Sequence, residues 1–350
     1  MDPLTSAQHY IALEEKYNAH NYHPLPVVLE RGQGVFVWDV EGKRYYDFLS
    51  GYSSVNQGHC QPAIIHTLTE QAQRLTLTSR AFHNNWLGEY AQYITRLFGY
   101  DKVLPMNTGV EAVETALKLA RRWGYEVKGI PQDLAVIIVC RQNFHGRTIN
   151  VISFGSDRSS RQGFGPFMQG YESIDFNDTA ALAQVLQHPN VCGFLMEPIQ
   201  GEAGVVVPDD GYLHSCFKLC RDANVLFIAD EIQTGLGRTG RMLACDHEAV
   251  HPDILILGKA LSGGTMPISA VLCCDEIMLT IKPGEHGSTF GGNPLACRVA
   301  MTALQVLQDE GMCENAERMG HYFRDGLRAL QHPHIQTVRG KRSEEHTSEL

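Results

Sequence analysis

Short, continuous apolar runs alternate with segments of helical periodicity through the middle of this chain. Apolar residues recur every three or four positions in residues 62–74 and 109–123, which is typical of amphipathic helices. The apolar runs occupy residues 135–140, 191–198, 225–230, 253–258 and 267–276. Strands that are apolar on both faces occur in parallel sheets covered by helices, so this pattern predicts an α/β fold with a mostly parallel central sheet and helices on both faces.

The two ends of the chain follow different patterns. The segment "GVFVWDVEGKRYYDF" alternates apolar and polar residues around "EG", which predicts a hairpin, and residues 294–331 have a helical pattern. The helical pattern that follows the apolar runs suggests a second domain after the large one.

Composition narrows the class of protein. A net charge of -10 argues against a nucleic-acid partner, because phosphate binding needs a basic surface. No run approaches the length of a transmembrane helix, so we expect no membrane partner. The ten cysteines are irregularly spaced and several lie in apolar runs, which indicates a reducing compartment. The N-terminus has no targeting pattern, so we expect a cytoplasmic protein, or a mitochondrial matrix protein if a presequence is missing.

Two charged residues follow apolar runs at what should be one edge of the sheet. "VLFIAD" ends in Asp230, and Lys259 comes directly after "DILILG". Ligands of such sheets bind at the carboxyl ends of the strands. An amine that can bond to an aldehyde and a carboxylate that can pair with a pyridinium nitrogen are the two groups that pyridoxal 5'-phosphate (PLP) requires. The spacing alone leaves a structural Asp–Lys salt bridge open as the alternative.

Two other segments are consistent with a PLP site but do not by themselves establish one. In "PMNTGVEAVETALKLARRWGY", Asn107 and Thr108 predict a helix start, so the N–H groups of Gly109 and Val110 could face an anion. "NFHGRT" brings an aromatic ring and a guanidinium fork after the strand at 135–140. A capped helix and a core aromatic residue are the simpler interpretations of each segment.

Two familiar motifs are also present. "GLGRTG" at 235–240 has the spacing of a dinucleotide-binding loop, but polar residues separate it from its strand and no long helix follows. "HEAVH" at 247–251 has the spacing of a zinc-binding helix, but Pro252 disfavours helix there. We therefore expect no metal site. A zinc hydrolase is kept as the alternative from another mechanistic class, and a non-catalytic scaffold as a third.

Five segments taken together resemble one enzyme family: "LFIADEIQTG", "LGKALSGG", "NTGVEAVETALKLARRWGY", "EPIQGEAGVVVP" and "GEHGSTFGGNP". They resemble the class-III aminotransferases, which are PLP-dependent transferases of fold type I. Within that family, four further segments resemble the branch that acts on ornithine rather than on acetylornithine or GABA: "AHNYHPLPVVLERG", "VNQGHC", "LTLTSRAFHNN" and "IMLTIKPGEHGSTFGGNP". The resemblance runs from about residue 15 to Lys341.

The resemblance implies a role for each matching residue. Lys259 would be the catalytic lysine that bonds to the cofactor aldehyde, and Asp230 would pair with the ring nitrogen. The other implied cofactor-binding residues are Gln233 at the ring hydroxyl, Phe144 stacked on the ring, Gly109 and Val110 at the phosphate, and Ser288 and Thr289 at the phosphate from the other subunit of a homodimer. The implied substrate-binding residues are Tyr22 and Arg147 at the α-carboxylate, Tyr52 beside them, and Glu202, which would pair with a C-terminal arginine and gate a second carboxylate site.

The implied activity is transfer of the δ-amino group of L-ornithine to 2-oxoglutarate, giving glutamate 5-semialdehyde and glutamate. Transfer from acetylornithine or another ω-amino acid is the alternative within the family. The likeness stops after "TVRGK", where the chain ends in the polar "RSEEHTSEL". The resemblance therefore implies four regions: an N-terminal segment that joins a smaller α+β domain (1–55), a large PLP-binding domain (56–293), the start of the incomplete C-terminal small domain (294–341) and a non-native tail (342–350). We expect this tail to be foreign, the helices of 294–331 to expose apolar faces, and the chain as written to be poorly stable and weak with 2-oxoglutarate.

Overall fold

The predicted apolar runs form the strands of one large sheet in the computed structural model, which describes residues 6–340. The described strands are Leu29–Gln33 (β1), Phe36–Asp39 (β2), Arg44–Tyr46 (β3), Lys102–Met106 (β4), Val136–Cys140 (β5), Tyr171–Ile174 (β6), Val191–Met196 (β7), Leu226–Asp230 (β8), Ile254–Leu257 (β9) and Ser269–Cys273 (β10). The described helices are Ala7–Tyr17 (α1), Ser50–Ser53 (α2), Pro62–Ala72 (α3), Asn85–Phe98 (α4), Gly109–Glu126 (α5), Ile149–Phe154 (α6), Arg158–Arg161 (α7), Thr179–Val185 (α8), Tyr212–Asp222 (α9), Asp275–Met278 (α10), Pro294–Asp309 (α11) and Met312–Ala329 (α12).

The large sheet has seven strands in the order β4-β10-β9-β8-β7-β5-β6. β6, β5, β7, β8 and β9 run parallel, whereas β10 is antiparallel to both of its neighbours. The prediction of a mostly parallel sheet is confirmed. β4 and β6 were not predicted, because neither is a continuous apolar run and each lies at an edge of the sheet.

Alternate residues of the central strands point into two separate cores. In β8, Phe227 and Ala229 join the core that contains residues of α4, α9 and α11, whereas Leu226 and Ile228 join the core beneath α5. β7 and β9 divide their residues between the same two cores. This alternation is the strand periodicity of two expected for a sheet buried on both faces. Continuing it, Asp230 belongs to the α5 side of the sheet.

The N-terminal region forms a small sheet of its own. β1, β2 and β3 are antiparallel in that order, which confirms the predicted hairpin at "EG". After β3, the ring of Phe48 stacks against Phe323 of α12, with 6.4 Å between the ring centroids. This contact joins the N-terminal region to the last helix. The four region boundaries themselves remain predictions.

The two C-terminal helices differ in how far their apolar residues are covered. α11 packs against α3 and α4 and buries most of its apolar side chains, so the expectation of an exposed apolar face is wrong for this helix. α12 does leave Met319, Tyr322 and Phe323 exposed to solvent. The tail at 342–350 lies outside the described residues. Within 6–340, no helix combines the length and apolarity needed to cross a bilayer.

Candidate active site at the carboxyl edge of the sheet

Asp230 and Lys259 lie at the carboxyl ends of two adjacent strands, at one edge of the sheet. β8 and β9 are parallel neighbours, and Asp230 lies opposite Ile256 in their register. β9 ends at Leu257, and Lys259 begins a 3-10 turn directly after Gly258. The φ angle of Lys259 is +43°, in the left-handed region that non-glycine residues seldom adopt. Backbone of this kind is concentrated at functional sites, so the turn marks Lys259 as more than a surface residue.

Asp230 is held by a buried histidine that the sequence patterns did not single out. Its Oδ2 accepts a 2.6 Å hydrogen bond from Nδ1 of His145, and both side chains are almost completely buried. Its Oδ1 accepts a hydrogen bond from the backbone N–H of Ile232 at 3.1 Å. Burial by itself lowers the pKa of His145, but the hydrogen bond and charge of Asp230, with the charge of Glu197, raise it above its usual value. These contacts fix the orientation of the Asp230 carboxylate.

A second buried carboxyl group lies beside this pair. Glu197 follows β7, which lies between β5 and β8, and its Oε2 accepts a hydrogen bond from the backbone N–H of Phe144 at 3.0 Å. Burial raises the pKa of Glu197 to about 7, although the neighbouring His145 works in the opposite direction. Glu197 therefore holds the loop that carries Phe144 and titrates near neutral pH.

The start of α5 offers two backbone donors at the same edge. Thr108 and Glu111 form a capping box, in which Glu111 Oε2 accepts the N–H of Thr108 at 2.8 Å and the Thr108 hydroxyl accepts the N–H of Glu111 at 3.4 Å. Within 6–340, no acceptor is paired with the N–H groups of Gly109 and Val110. Unpaired N–H groups and the helix dipole together make this helix start an anion-binding site.

Close packing joins the start of α5 to both charged strand ends. A Cβ atom at Gly109 would lie 3.0 Å from Cδ1 of Ile232, and one at Gly258 would lie 3.3 Å from Cγ2 of the same side chain. Gly146 has a φ of +124°, and a Cβ there would overlap the side chain of Val110. The loops after β5, β8 and β9 therefore converge on the first turn of α5.

Gln233 and Glu202 contact each other at the rim of this site. Gln233 is buried, and its Nε2 donates to Oε1 of the exposed Glu202 at 3.4 Å. A Cβ atom at Gly201 would overlap the Gln233 amide, so the backbone of the loop after β7 lies directly against this side chain. The structure thus brings together a predicted cofactor-binding residue and a predicted substrate-binding residue.

Phe144 and Arg147 lie on one loop after β5. The guanidinium carbon of Arg147 is 5.3 Å from the centroid of the half-buried Phe144 ring. Most of the Arg147 side chain is exposed, and its nearest carboxylate oxygen, on Asp157, is 3.9 Å away. At that distance the ion pair is weak, so the guanidinium fork is available to bind a carboxylate ligand.

The two predicted substrate tyrosines are on the surface. Tyr22 is 75% exposed and Tyr52 is 56% exposed, and no contact joins either ring to Arg147 in the described part of the chain. Tyr52 lies in a segment with left-handed backbone, at a φ of +56°. The structure therefore does not assemble the predicted substrate grip within one chain, and the roles of these tyrosines stay predictions.

Ser288 lies near the start of α5, whereas Thr289 faces solvent. Asn107 Nδ2 donates to Ser288 Oγ at 2.6 Å, and the N–H of Gly291 donates to the same oxygen at 3.2 Å. Thr289 is exposed. Because one chain is described, the expectation that these residues serve the other subunit stays a prediction.

The two competing motifs do not form the structures that their functions need. In "HEAVH", a 3-10 helix ends at Glu248, and the histidine rings face different carbonyl groups: His247 Nε2 donates to Thr239 at 3.0 Å and His251 Nε2 donates to Phe98 at 3.1 Å. No group of three potential ligands is arranged for a metal among residues 6–340. "GLGRTG" lies in consecutive turns and opens no helix. The expectation that neither segment forms its motif's helix is confirmed.

The assembled edge fits PLP. A buried, oriented carboxylate suits a pyridinium nitrogen, and a lysine at the adjacent strand end suits an aldehyde. The half-buried Phe144 ring can stack on a planar heterocycle, and the unpaired N–H groups at the start of α5 suit a phosphate. Together with the seven-stranded sheet, this arrangement is that of a PLP-dependent transferase of fold type I.

Comparison with known proteins specifies the family. The model of the class-III aminotransferases matches residues 17–342, and the chain belongs to that family. It is 64% identical to the mitochondrial ornithine aminotransferase of Drosophila melanogaster over 330 residues, which are 94% of this chain and 77% of the relative. The family resemblance drawn from the sequence is confirmed.

Two solved structures are similar to this chain over most of its length. One is the ornithine aminotransferase of Toxoplasma gondii, in which PLP partially occupies the active site; it has a TM-score of 0.96 and 53% identity, over 97% of this chain and 80% of that one. The other is the acetylornithine aminotransferase of Elizabethkingia anophelis, with a TM-score of 0.86 and 62% identity, over 93% of this chain and 80% of that one. The alternative of a zinc hydrolase is not favoured.

Proposed function

We propose that this chain transfers the δ-amino group of L-ornithine to 2-oxoglutarate with PLP as cofactor, giving glutamate 5-semialdehyde and glutamate. The observation that carries the proposal is the 64% identity to the Drosophila ornithine aminotransferase, at a site whose residues fit the cofactor. The Toxoplasma relative adds support through its bound PLP.

The cofactor-binding roles follow from the chemistry of each group. PLP, when bound, supplies an electron-poor ring that acidifies the hydrogen on the amine-bearing carbon of the substrate. Asp230, oriented by His145, holds the positive charge of the ring nitrogen in place. Gly109 and Val110 bind the phosphate through their N–H groups. Phe144 covers one face of the ring and excludes water from it.

Lys259 is the proposed acid–base catalyst. In its neutral form, Nζ takes the proton from the δ-carbon of ornithine and returns it during the transfer. The left-handed backbone at Lys259 fixes where this side chain leaves the sheet edge, at the end of the strand next to Asp230. A positioned base avoids the entropic cost of bringing a free amine to the substrate.

Arg147 determines which of the two amines of ornithine reacts. Its fork binds the α-carboxylate, with Tyr22 and Tyr52 as further contacts, and the α-amine is thereby kept away from Lys259. The distal amine then lies toward the sheet edge. Glu202 is the proposed gate for the second carboxylate of 2-oxoglutarate, and its hydrogen bond with Gln233 ties this gate to a residue proposed to contact the ring hydroxyl.

We further propose a homodimer in which Ser288 and Thr289 serve the site of the other subunit, with ornithine and 2-oxoglutarate as the small-molecule partners. The Drosophila relative is named as a mitochondrial protein, which supports the mitochondrial alternative over the cytoplasmic expectation. Fractionation of cells that express the full-length gene product tests the location, and light scattering of the purified chain tests the dimer.

The activity is tested by incubating the purified chain with PLP, ornithine and 2-oxoglutarate. The product cyclises to a pyrroline, which an aromatic aldehyde reagent traps as a coloured adduct. We expect colour with the wild-type chain and none with Lys259→Ala. Bound PLP without glutamate formation from ornithine would overturn the proposal.

The alternative within the family is an N-acetylornithine aminotransferase, the activity for which the Elizabethkingia structure at 62% identity is named; the similarity to ornithine aminotransferases does not favour it. Its product carries an acetylated amine and cannot cyclise to the same pyrroline. Glutamate release with N-acetylornithine at a higher kcat/KM than with ornithine would therefore establish this candidate in place of the first.

A further inference from the structure

The segment 282–290, here called the 282–290 loop, is part of the connection between α10 and α11 and carries Ser288. Ser288 Oγ accepts hydrogen bonds from Asn107 Nδ2 and from the N–H of Gly291. A hydroxyl oxygen has two lone pairs, so both are in use and its O–H remains as a donor. Within 6–340 no acceptor is paired with that O–H. Ser288 is therefore set up to donate to an anion, which in the proposed homodimer is the phosphate in the site of the other subunit.

The 282–290 loop is fastened to α5 through a histidine with both ring nitrogens engaged. Nε2 of His286 lies 2.7 Å from the hydroxyl of Thr115, and Nδ1 lies 2.9 Å from Nζ of Lys118. Lys118 Nζ also donates to the carbonyl oxygen of Glu285 at 3.3 Å. Two side chains of α5, Thr115 and Lys118, thus hold two consecutive residues of the loop, Glu285 and His286.

The partners of His286 define its protonation. An ammonium group can only donate, so Nδ1 accepts from Lys118. The Thr115 hydroxyl donates to the carbonyl oxygen of Glu111 at 2.7 Å, so it accepts from the Nε2–H of His286. The contacts therefore require the neutral Nε2–H tautomer, because a proton on Nδ1 would remove the acceptor and place two positive charges 2.9 Å apart.

The charged groups around His286 favour that neutral form. Burial lowers the pKa of His286, the charge of Lys118 lowers it further, and the charge of Glu111 works in the opposite direction. Arg122 and Glu285 also face this region, but they pair with each other at 2.5 Å and contribute little net charge. The ring is therefore neutral at neutral pH, and it becomes protonated as the pH falls below the ordinary histidine range.

We propose that neutral His286 is a positioning residue for the cofactor phosphate: by fastening the 282–290 loop to Thr115 and Lys118, it holds the Ser288 hydroxyl as a phosphate donor. This inference rests on the proposed use of PLP. Protonation of His286 breaks the bond from Lys118 and loosens the loop, so phosphate affinity falls when the pH drops below the ordinary histidine range. The role is distinct from that of Gly109 and Val110, whose N–H groups do not titrate.

The test compares PLP with pyridoxal, which lacks the phosphate, by equilibrium titration of the apoprotein. At about pH 8 we expect His286→Ala to weaken PLP binding about tenfold and to change pyridoxal binding less than about twofold. His286→Gln keeps a donor for Thr115 and cannot titrate, so it should retain most of the affinity and lack the additional loss that the wild-type chain shows at about pH 5. The control is His66→Ala, an exposed histidine of α3 far from the loop in sequence.

A second variant and a second measurement keep the inference testable if His286→Ala misfolds. Lys118→Met removes the donor to Nδ1 from an exposed position and should weaken PLP but not pyridoxal. Nitrogen NMR of the histidine rings should show His286 as the neutral Nε2–H tautomer at about pH 7. Equal losses for PLP and pyridoxal, unchanged PLP affinity in both variants, or the other tautomer would each overturn the inference. A wild-type chain that binds neither compound would instead overturn the proposed cofactor, and this inference with it.

Discussion

Nδ1 of His145 donates to Oδ2 of Asp230 across 2.6 Å, and both side chains are closed off from solvent. His145 follows β5 and Asp230 ends β8, with β7 between the two strands. Parallel strands bring their carboxyl ends to one edge, which is how two residues far apart in sequence form one polar pair. Asp230 is therefore oriented before any ligand arrives.

The pair predicts a specific effect of removing the imidazole. His145→Ala leaves the buried Asp230 carboxylate without its main partner, so we expect kcat to fall about 10- to 100-fold. His145→Asn can place an amide N–H where Nδ1 lies and should recover most of the loss. Steady-state rates with ornithine measure both variants. Equal activities of the Ala and Asn variants would contradict the role given to this hydrogen bond.

Glu197 predicts a change in how stability depends on pH. Its pKa is raised by burial from an ordinary 4.5 to about 7, so between these values the folded chain binds a proton that the unfolded chain releases. Stability is therefore lost as the pH rises through this window. Glu197→Gln cannot ionise and keeps an acceptor for the N–H of Phe144. Relative to this variant, the wild-type chain should lose about 2 to 4 kcal/mol of unfolding free energy between about pH 5 and pH 8.

Urea unfolding of both proteins at the two pH values measures the difference, and other titrating groups cancel in the comparison. The same pH dependence in the wild-type chain and the variant would show that Glu197 does not titrate in this range.

The buried strands were predictable because burial on both faces leaves a continuous apolar run. β5, β7, β8, β9 and β10 each fall inside a predicted run. β4 and β6 were missed for the opposite reason: "KVLPM" contains a proline and "YESI" has two polar residues, as edge strands with one open side allow. An edge strand pairs with a single neighbouring strand, and its own sequence does not indicate which strand that is.

Part of the site was predictable from the same runs. Asp230 and Lys259 were predictable because a charged residue directly after an apolar run lies at the sheet edge where ligands bind. His145 and Glu197 were missed, although each also follows an apolar run. The role of a buried His or Glu depends on which side chain lies beside it. That partner is set by strand order, which the residues of one strand do not specify. Tyr22 and Tyr52 rest on the family resemblance alone.

A side chain introduced at Gly146 should clash with α5. A second glycine with a positive φ angle but open space around it serves as the control for backbone strain alone. Gly146 and Gly163 both have positive φ angles, +124° and +86°, but only a side chain at Gly146 would overlap Val110. We expect Gly163→Ala to cost about 1 kcal/mol of unfolding free energy and Gly146→Ala about 3 kcal/mol or more. Denaturant midpoints measure both. Equal losses of unfolding free energy in the two variants would mean that Val110 of α5 can move aside without destabilising the protein.

Arg147 predicts a selective loss of substrate binding. Arg147→Lys keeps the charge but loses the planar fork, so KM for ornithine should rise about 10- to 100-fold. Putrescine, which is ornithine without its carboxylate, should be used equally poorly by the wild-type chain and the variant. Initial rates across a range of each amine give both KM values. A parallel change for putrescine would show that Arg147 acts on something other than the carboxylate.

The central claim is that Nζ of Lys259 bonds to the cofactor aldehyde at the edge where Asp230 holds the ring nitrogen. The most direct measurement is borohydride reduction of the PLP-loaded chain, followed by peptide mass spectrometry. We expect one phosphopyridoxyl group per chain, on the peptide that contains Lys259, and none in Lys259→Ala. Modification of another lysine, with Lys259 recovered unmodified, would contradict the account.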